Sequence, residues 1–356
     1  MAVRREEGKS TWLVQASYVD YEGNRKRTTK RGFRTKREAL EWEEELRKRK
    51  NSCLGMTMNS FYERYRADLL SKIRESTWDT KRVIIELKIL PFFGKRKLDE
   101  ITPSDIRAWQ NTMNNFKQKN GKPLTATYLR TINAQLNAMF NHAVLFYGLK
   151  ENPSRRAGLM GKSKGEEKQY WTIAEYKAFI QCVANKPESY YGFEILYWCG
   201  LRIGELLALT PNDFDFDKKV IYIRKAYTKY GFGPTKTEKG NRTVLMPERI
   251  ADEIKDYIAS IYGITKDERI FPNSSSFYRH ELERGAKASG VKLISPHELR
   301  HSHITHLVAE GFDPVTIGDR VGHEAIRITM NYAHSMEERQ RSLGEALNKE
   351  REAMDE

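Results

Sequence analysis

Cysteine is scarce in this chain of 356 residues. Cys53, Cys182 and Cys199 are too few and too scattered for a disulfide framework or a zinc ribbon, and a reducing compartment fits them. Long apolar runs are missing as well. The greasiest stretch, Gly192 to Leu209, is broken by Glu194, Arg202 and Glu205, short of the roughly 18 uninterrupted apolar residues that a bilayer span needs. Met1-Ala-Val-Arg-Arg-Glu-Glu brings charge with no apolar core behind it, so a secretory signal is not expected. Internal repeats and low-complexity tracts are absent. Acid is in deficit, 48 Asp and Glu against 62 Lys and Arg, which leaves a net charge of +14 and points to a polyanionic partner, nucleic acid before membrane. What is present is a globular composition: 39% apolar and 11% aromatic residues exclude a disordered basic tail as a description of the whole molecule. The length exceeds the usual single domain of about 100 to 200 residues, so two or three domains are expected.

The charge is localised. Residues 1 to 37 hold eleven basic and four acidic residues, an excess of +7 that is half the total. Trp12 to Tyr21 is rich in β-formers, Glu22-Gly23-Asn24 offers a turn, and Arg25 to Phe33 alternates cations with threonine, which reads as a hairpin. Thr35-Lys36-Arg37-Glu38 is a capping box, opening a helix to about Arg49 with a stripe of Ala39, Leu40, Trp42 and Leu46. A solvated basic face is the plain reading of this unit. Cations alternating along strands favour a sheet laid against DNA, with Arg25, Lys26, Arg27, Lys30, Arg31 and Arg34 as its contacts.

From Thr57 to about Asn152 the periodicity is helical. Phe61, Tyr65, Leu69 and Leu70 share one face; Val83, Leu87 and Leu90 form another that ends at Pro91. Thr102-Pro103-Ser104-Asp105 caps a helix through Ile106, Trp109 and Met113, and a last stripe of Tyr128, Ile132, Leu136, Met139, Phe140 and Val144 runs to Gly148. Ser154 to Gln169, Gly-rich and basic, reads as a linker. Thr172-Ile173-Ala174-Glu175 then caps a third domain with helices near 173–184 and 188–199. Three short strands follow, at Val220 to Ile223, near 225–228 and at Asn241 to Met246, before the chain returns to helices. The expected fold is therefore α+β and multidomain: a small sheet plus helix at 1–52, an all-helical domain at 56–153, a linker at 154–169, a mainly helical domain with a small antiparallel sheet at 170–336, and a tail at 337–356.

Three clusters can carry chemistry. In Gly200-Leu201-Arg202-Ile203-Gly204-Glu205-Leu206 an arginine sits inside an apolar run with a glutamate three residues on. Either the pair satisfies itself, or Glu205 orients Arg202 so that its other edge meets a phosphate. In Ser295-Pro296-His297-Glu298-Leu299-Arg300-His301, His297-Glu298-x-x-His301 matches the zinc-protease pattern, but Ser295 and Glu298 form a capping box, and Ile304 and Leu307 stand where a third-ligand motif would continue. The cap instead puts His297 and Arg300 in the first turns of a helix whose positive end suits an anion, leaving His301, His303 and His306 as surface or packing residues. Asp213, Asp215 and Asp217 read as a helix-to-strand connection rather than a metal nuclease. Val321-Gly322-His323 with Tyr332 is the third cluster. Beside two arginines and two histidines for a phosphate, a tyrosine is a sensible nucleophile, because its phosphodiester keeps the energy of the broken bond for re-ligation.

These boxes, taken in order, resemble those of the tyrosine recombinases, and within them the integrases of bacteriophages and integrative conjugative elements. Gly200 to Glu205 is similar to the first-arginine box, Thr235-Lys236-Thr237 to the hairpin lysine, His297 to His301 to the histidine-x-x-arginine box, and Gly322-His323 with Tyr332 nine residues later to the final histidine and nucleophile. The helical middle resembles a core-binding domain and the basic N-terminal sheet an arm-binding domain, which simpler chromosome-dimer resolvases of the family lack. The resemblance implies a DNA strand-exchange enzyme that uses neither metal nor other cofactor, acting through a 3′-phosphotyrosyl link at Tyr332. It further implies Arg202, Arg300 and His323 on the non-bridging oxygens, Glu205 in support, His297 handling the Tyr332 proton and Lys236 protonating the 5′ oxygen, with Lys239 the competing choice. A homo-tetramer on double-stranded DNA with core and arm-type sites, an excision or directionality factor, a host DNA-bending protein and a nucleoid-bound life in a bacterial cytoplasm complete what it implies. Were Tyr332 not the nucleophile, Tyr278 and Tyr227 would be next. The polar tail, with Leu343 and Leu347 one turn apart, is either a frayed helix or a segment that packs on a neighbouring protomer.

Overall fold

The computed structural model describes residues 2–5, 10–19, 25–48, 55–161, 169–235 and 238–322. The chain divides into two compact units, Met1–Glu166 and Glu167–Glu356. The first opens with an antiparallel sheet of β1 (Ala2–Arg5), β2 (Trp12–Val19) and β3 (Arg25–Phe33), in that order, followed by α1 (Lys36–Lys48). The expected capping box forms: Glu38 N–H donates to Thr35 Oγ1 at 3.1 Å, and the Arg34 and Thr35 amides donate back to the Glu38 carboxylate. Val14 and Ala16 of β2 pack on Ala39 of α1, rimmed by Val3, Trp12, Phe33 and Trp42. Leu40 points to solvent, so the buried stripe of α1 is narrower than its sequence suggests.

Strand parity separates three of the six candidate DNA contacts. Lys30 is paired with inward-facing Val14 and lies over the Phe33 and Trp42 rings, whereas Arg27 is paired with Ser17 and Arg25 with Val19, on the opposite face. The single basic face expected from alternation is thus two.

The remainder of this unit is helical: α2 (Met58–Leu70), α3 (Glu75–Ile84), α4 (Leu90–Phe93), α5 (Pro103–Asn114), α6 (Ala126–Phe146) and α7 (Pro153–Ala157). Thr57, Thr102 and Thr125 cap α2, α5 and α6 through their hydroxyls. Two expectations fail here. The face of Val83 and Leu87 is exposed, and Trp78, Ile84, Ile85 and Ile89 form the buried one. Trp78, Ile85 and Ile89 form a competing stripe at regular helical spacing, and a π-turn over Ile85–Ile89 joins α3 to α4. Pro91 has no N–H for the Leu87 carbonyl and its ring would press on it; the wider turn removes the clash, so the helix runs on past Pro91. The linker is also shorter than expected. Asn152 caps α7 by accepting from Ser154 N–H at 2.8 Å, and Ala157 and Met160 join the core.

In the second unit α8 (Ile173–Gln181), α9 (Pro187–Trp198) and α10 (Ile203–Leu206) precede five strands, β4 (Phe214–Asp215), β5 (Val220–Ile223), β6 (Lys225–Thr228), β7 (Gly231–Pro234) and β8 (Arg242–Leu245). Three were expected. β4-β5-β8 form one antiparallel sheet and β6-β7 a separate hairpin; β4 is only two residues long and β7 is Gly-Phe-Gly-Pro, neither a strand-like pattern. Then come α11 (Glu248–Ser260), α12 (Ser275–Ser289), α13 (Pro296–Ala309) and α14 (Pro314–Val321). α9 crosses the core so closely to α12 that a Cβ on Gly192 would lie 2.5 Å from the Tyr278 ring, which is fully buried and donates its hydroxyl to the Glu188 carbonyl. Gly192→Ala therefore overpacks a ring that has nowhere to go. Urea titration should show a loss of about 1–3 kcal/mol; an unchanged midpoint would mean that α9 and α12 slide apart freely.

Candidate active site

The site is built around the start of α10 and the end of α14. Gly200, at φ 64°, turns the chain so that Arg202 becomes the N-cap of α10. A side chain there would strike His303, 2.5 Å from the place of its Cβ, so both the backbone angle and the space call for glycine. Glu205, three residues on, folds back: Arg202 N–H donates to its Oε2 at 3.0 Å and Arg202 Nη1 to its Oε1 at 2.8 Å. Arg202 Nη2 reaches across to the Gly322 carbonyl at 3.0 Å. Arg300, 1% exposed on α13, donates through Nη1 to the Gly200 carbonyl at 2.9 Å and through Nη2 to the Val321 carbonyl. The two arginines thus meet on adjacent carbonyls at the negative end of α14.

A third arginine joins them. Arg242, at the start of β8 and 6% exposed, donates Nη1 and Nη2 to the two Glu205 oxygens at 3.1 and 2.8 Å, and Nε to the Arg320 carbonyl at 2.8 Å. Three consecutive carbonyls, those of Arg320, Val321 and Gly322, so receive three guanidinium groups from β8, α13 and α10. Burial works against ionisation of Glu205, yet the hydrogen bonds and charge of Arg242, then those of Arg202, hold its carboxyl below the ordinary value. The Arg320 side chain ties the same corner to its surroundings, donating to the carbonyls of Trp198 and Leu245 and, through Nε, to His303 Nε2 at 3.2 Å.

Of the expected catalytic residues, the structure brings Arg202, Glu205 and Arg300 together. His297 is exposed in the first turn of α13, three residues before Arg300, with its ring 4.8 Å from that of His301. The capping box of α13 is present: Ser295 N–H donates to Glu298 Oε2 at 2.6 Å. His301 and His303 are buried. Lys236, His323 and Tyr332 lie outside the described residues, as does the tail at 337–356. Their neighbours in sequence do not: Thr235 is buried and donates to Asn241 at 3.1 Å, and Gly322 is the acceptor of Arg202. Lys239 Nζ lies 3.7 Å from Asp319. Tyr278 is a core residue whose hydroxyl burial pushes well above its ordinary pKa, which removes it from the alternative nucleophiles. The aspartates have local tasks: Asp213 accepts from Thr210 and pairs with Lys225, and Asp215 pairs with Lys218. Among the described residues, Arg242 and Arg320 are site residues that sequence reasoning did not name, and His303 is one that it read as surface or packing.

Comparison with known proteins gives the same outline. The pattern of the Phage integrase family matches residues 169–339, that of the phage integrase N-terminal SAM-like domain residues 57–114, and that of the Arm DNA-binding domain residues 2–50. The ICEBs1 integrase of Bacillus subtilis is 24% identical over 338 residues, covering 88% of this chain and 90% of that protein. The integrase of Mycobacterium phage L5 is 24% identical, covering 94% of each. Among solved structures, the Tn1549 transposon integrase in complex with a circular intermediate DNA superposes with a TM-score of 0.69 at 23% identity, over 82% of this chain and 99% of that one. A lambda integrase dimer bound to a core site gives 0.60 at 19%, over 93% and 94%.

His303 supplies a measurement. Burial, then the charges of Arg320 and Arg300, push its imidazole from 6.5 down to about 3. Between those values the unfolded chain takes up a proton that the folded one refuses, so this contribution to stability is complete above pH 6.5 and is lost as the pH falls toward 3. Relative to His303→Gln, the wild type should lose about 1 kcal/mol per pH unit in that window when unfolded in urea. Parallel pH profiles would show that His303 is protonated in the fold.

Proposed function

The chain belongs to the phage integrase family and is a tyrosine-type site-specific DNA recombinase that integrates or excises a mobile element; from that premise we propose which residues perform the reaction. Tyr332 attacks the scissile phosphate: its phenolic oxygen bonds to phosphorus, the bond to the 5′ oxygen breaks, and a 3′-phosphotyrosyl link remains. His297 receives the phenolic proton, since imidazole titrates near neutrality and phenol near pKa 10. Lys236 gives a proton to the departing 5′ oxygen. Arg202 and Arg300 neutralise the non-bridging oxygens where charge builds in the transition state, and His323 adds a hydrogen bond there. The released 5′-hydroxyl of one duplex attacks the link in its partner, which requires a tetramer on two duplexes.

One observation carries this reading. Arg202 and Arg300, 98 positions apart in sequence, are aimed at adjacent carbonyls of the turn that leads directly into His323. Acceptors of partial negative charge lie where an anion would meet both guanidiniums. The named relatives that were solved on DNA support the same polyanion, as does the net charge of +14. In the proposed organisation residues 1–52 take arm-type sites, 56–153 grip the core site and 170–336 cut it. Arg25, Arg27, Arg31 and Arg34 contact the arm duplex, with Lys26 and Lys30 in flanking roles. Directionality and DNA-bending factors assist in a bacterial cytoplasm.

Tyr332→Phe should abolish covalent attachment to a nicked core duplex while site affinity stays within about threefold, because only the nucleophilic oxygen is lost. Adduct at the wild-type level would move the nucleophile elsewhere. Lys236 and Lys239 are separated by sulfur substitution: a thiolate, with a parent pKa of about 8.5, leaves without a proton. Lys236→Ala should cleave an ordinary duplex slowly and recover most of its rate on a 5′-bridging phosphorothiolate, whereas Arg202→Ala stays slow on both. Rescue of Lys239→Ala alone would reassign the acid.

A further inference from the structure

The carboxylate beside Arg202 poses a problem for the reaction proposed above. Glu205 is 2% exposed and lies 2.8 Å from Arg202 Nη1, so by itself it would cancel the charge that Arg202 must offer to a phosphate. Two opposite charges at that distance inside a protein form a neutral pair, and a neutral pair does little for a phosphorane that carries one more negative charge than its phosphodiester. The structure supplies a second cation. Arg242 engages Glu205 with both Nη atoms, end-on and at 3.1 and 2.8 Å, while Arg202 reaches it with one. Of the influences that keep Glu205 ionised against its burial, those of Arg242 exceed those of Arg202.

We infer that Arg242 is a positioning residue for strand cleavage: it neutralises Glu205, so that the charge of Arg202 is directed at the scissile phosphate and not at its own neighbour. Two guanidiniums and one carboxylate leave a net +1 beside the α10 N-terminus; without Arg242 the balance is zero. Glu205 in turn keeps the two cations from repelling each other and fixes Arg202 through the backbone amide as well as the side chain. Arg242 itself is held away from the phosphate position by its bonds to the carbonyls of Gly240 and Arg320. It acts on the substrate only through Glu205 and Arg202, which distinguishes it from the two arginines assigned to the phosphate. The inference rests on the recombinase reading above.

Charge neutralisation and mere tethering make opposite predictions for a double variant. The full chain is incubated with a nicked duplex carrying its own crossover site, and single-turnover covalent trapping and duplex affinity are measured separately. R242M should trap about 100-fold more slowly with affinity within about threefold, because Glu205 then cancels the charge that Arg202 offers the transition state. R242K keeps the charge without the two-pronged geometry and should stay within about tenfold of wild type. In E205Q/R242M both charges are gone, and trapping should recover at least tenfold over R242M, the sign of a coupled pair. A double variant no faster than R242M, or R242K as slow as R242M, would overturn the inference in favour of a purely structural Arg242. Should R242M fail to fold, as a shifted thermal midpoint would reveal, the comparison of R242K with wild type decides alone. A wild-type chain that forms no adduct overturns the recombinase reading, and this inference with it.

Discussion

Three arginines from three elements donate to three consecutive carbonyls at the end of α14, and a single buried carboxylate, Glu205, keeps two of them from repelling each other. Each half of this arrangement needs the other. A guanidinium such as that of Arg300, 1% exposed, is costly to bury without acceptors, and the last carbonyls of a helix have no partners inside the helix. Joining the two satisfies both, and it does so at the point where the chain leaves α14 for His323 and Tyr332. The end of α14 is thereby tied to α10, β8 and α13 at once. Glycine makes the approach feasible: Gly322 adopts φ 66° and leaves no room for a Cβ, which would lie 2.6 Å from the Lys239 carbonyl.

The fold was legible where local chemistry governs it. Thr35, Thr102, Thr172 and Ser295, each with an acid three residues later, mark helix starts because hydroxyl and carboxylate satisfy the first amides reciprocally. It was misread where a tertiary constraint overrode the period. Val83 and Leu87 have ideal helical spacing, yet Trp78, Ile85 and Ile89 have it too, and it is their stripe that the core takes. Likewise β7, with Gly231 and Gly233 and no β-branched residue, is a strand only because β6 supplies its partner. Ser154 to Gly161 looked like a linker since its packing, through Ala157 and Met160, shows no periodicity.

Of the site, the arginine boxes were visible because each is a charge in an apolar setting. The question left open for Arg202 and Glu205, a self-satisfied pair or an oriented phosphate ligand, gains a third party in Arg242, a residue read only as part of a strand, which shares Glu205 with Arg202. Arg242 shares strand parity with Val244 and Met246, both buried, and that parity alone turns it inward. The signal was present, but its meaning was not. Strand periodicity says that a cation faces the core; only the fold says that Glu205, 37 positions earlier, waits there. His303 and Arg320 were hidden for the same reason, as their pairing joins α13 to α14.

The central claim is that this arginine-lined corner presents a phosphodiester to a tyrosine. It is tested most directly by trapping the wild-type chain on a nicked core duplex in the presence of a chelator, digesting the complex and sequencing the peptide that carries DNA. The account predicts a metal-independent adduct joined through a 3′-phosphate to Tyr332. An adduct on any other residue, or cleavage that leaves no protein on the DNA, would contradict it.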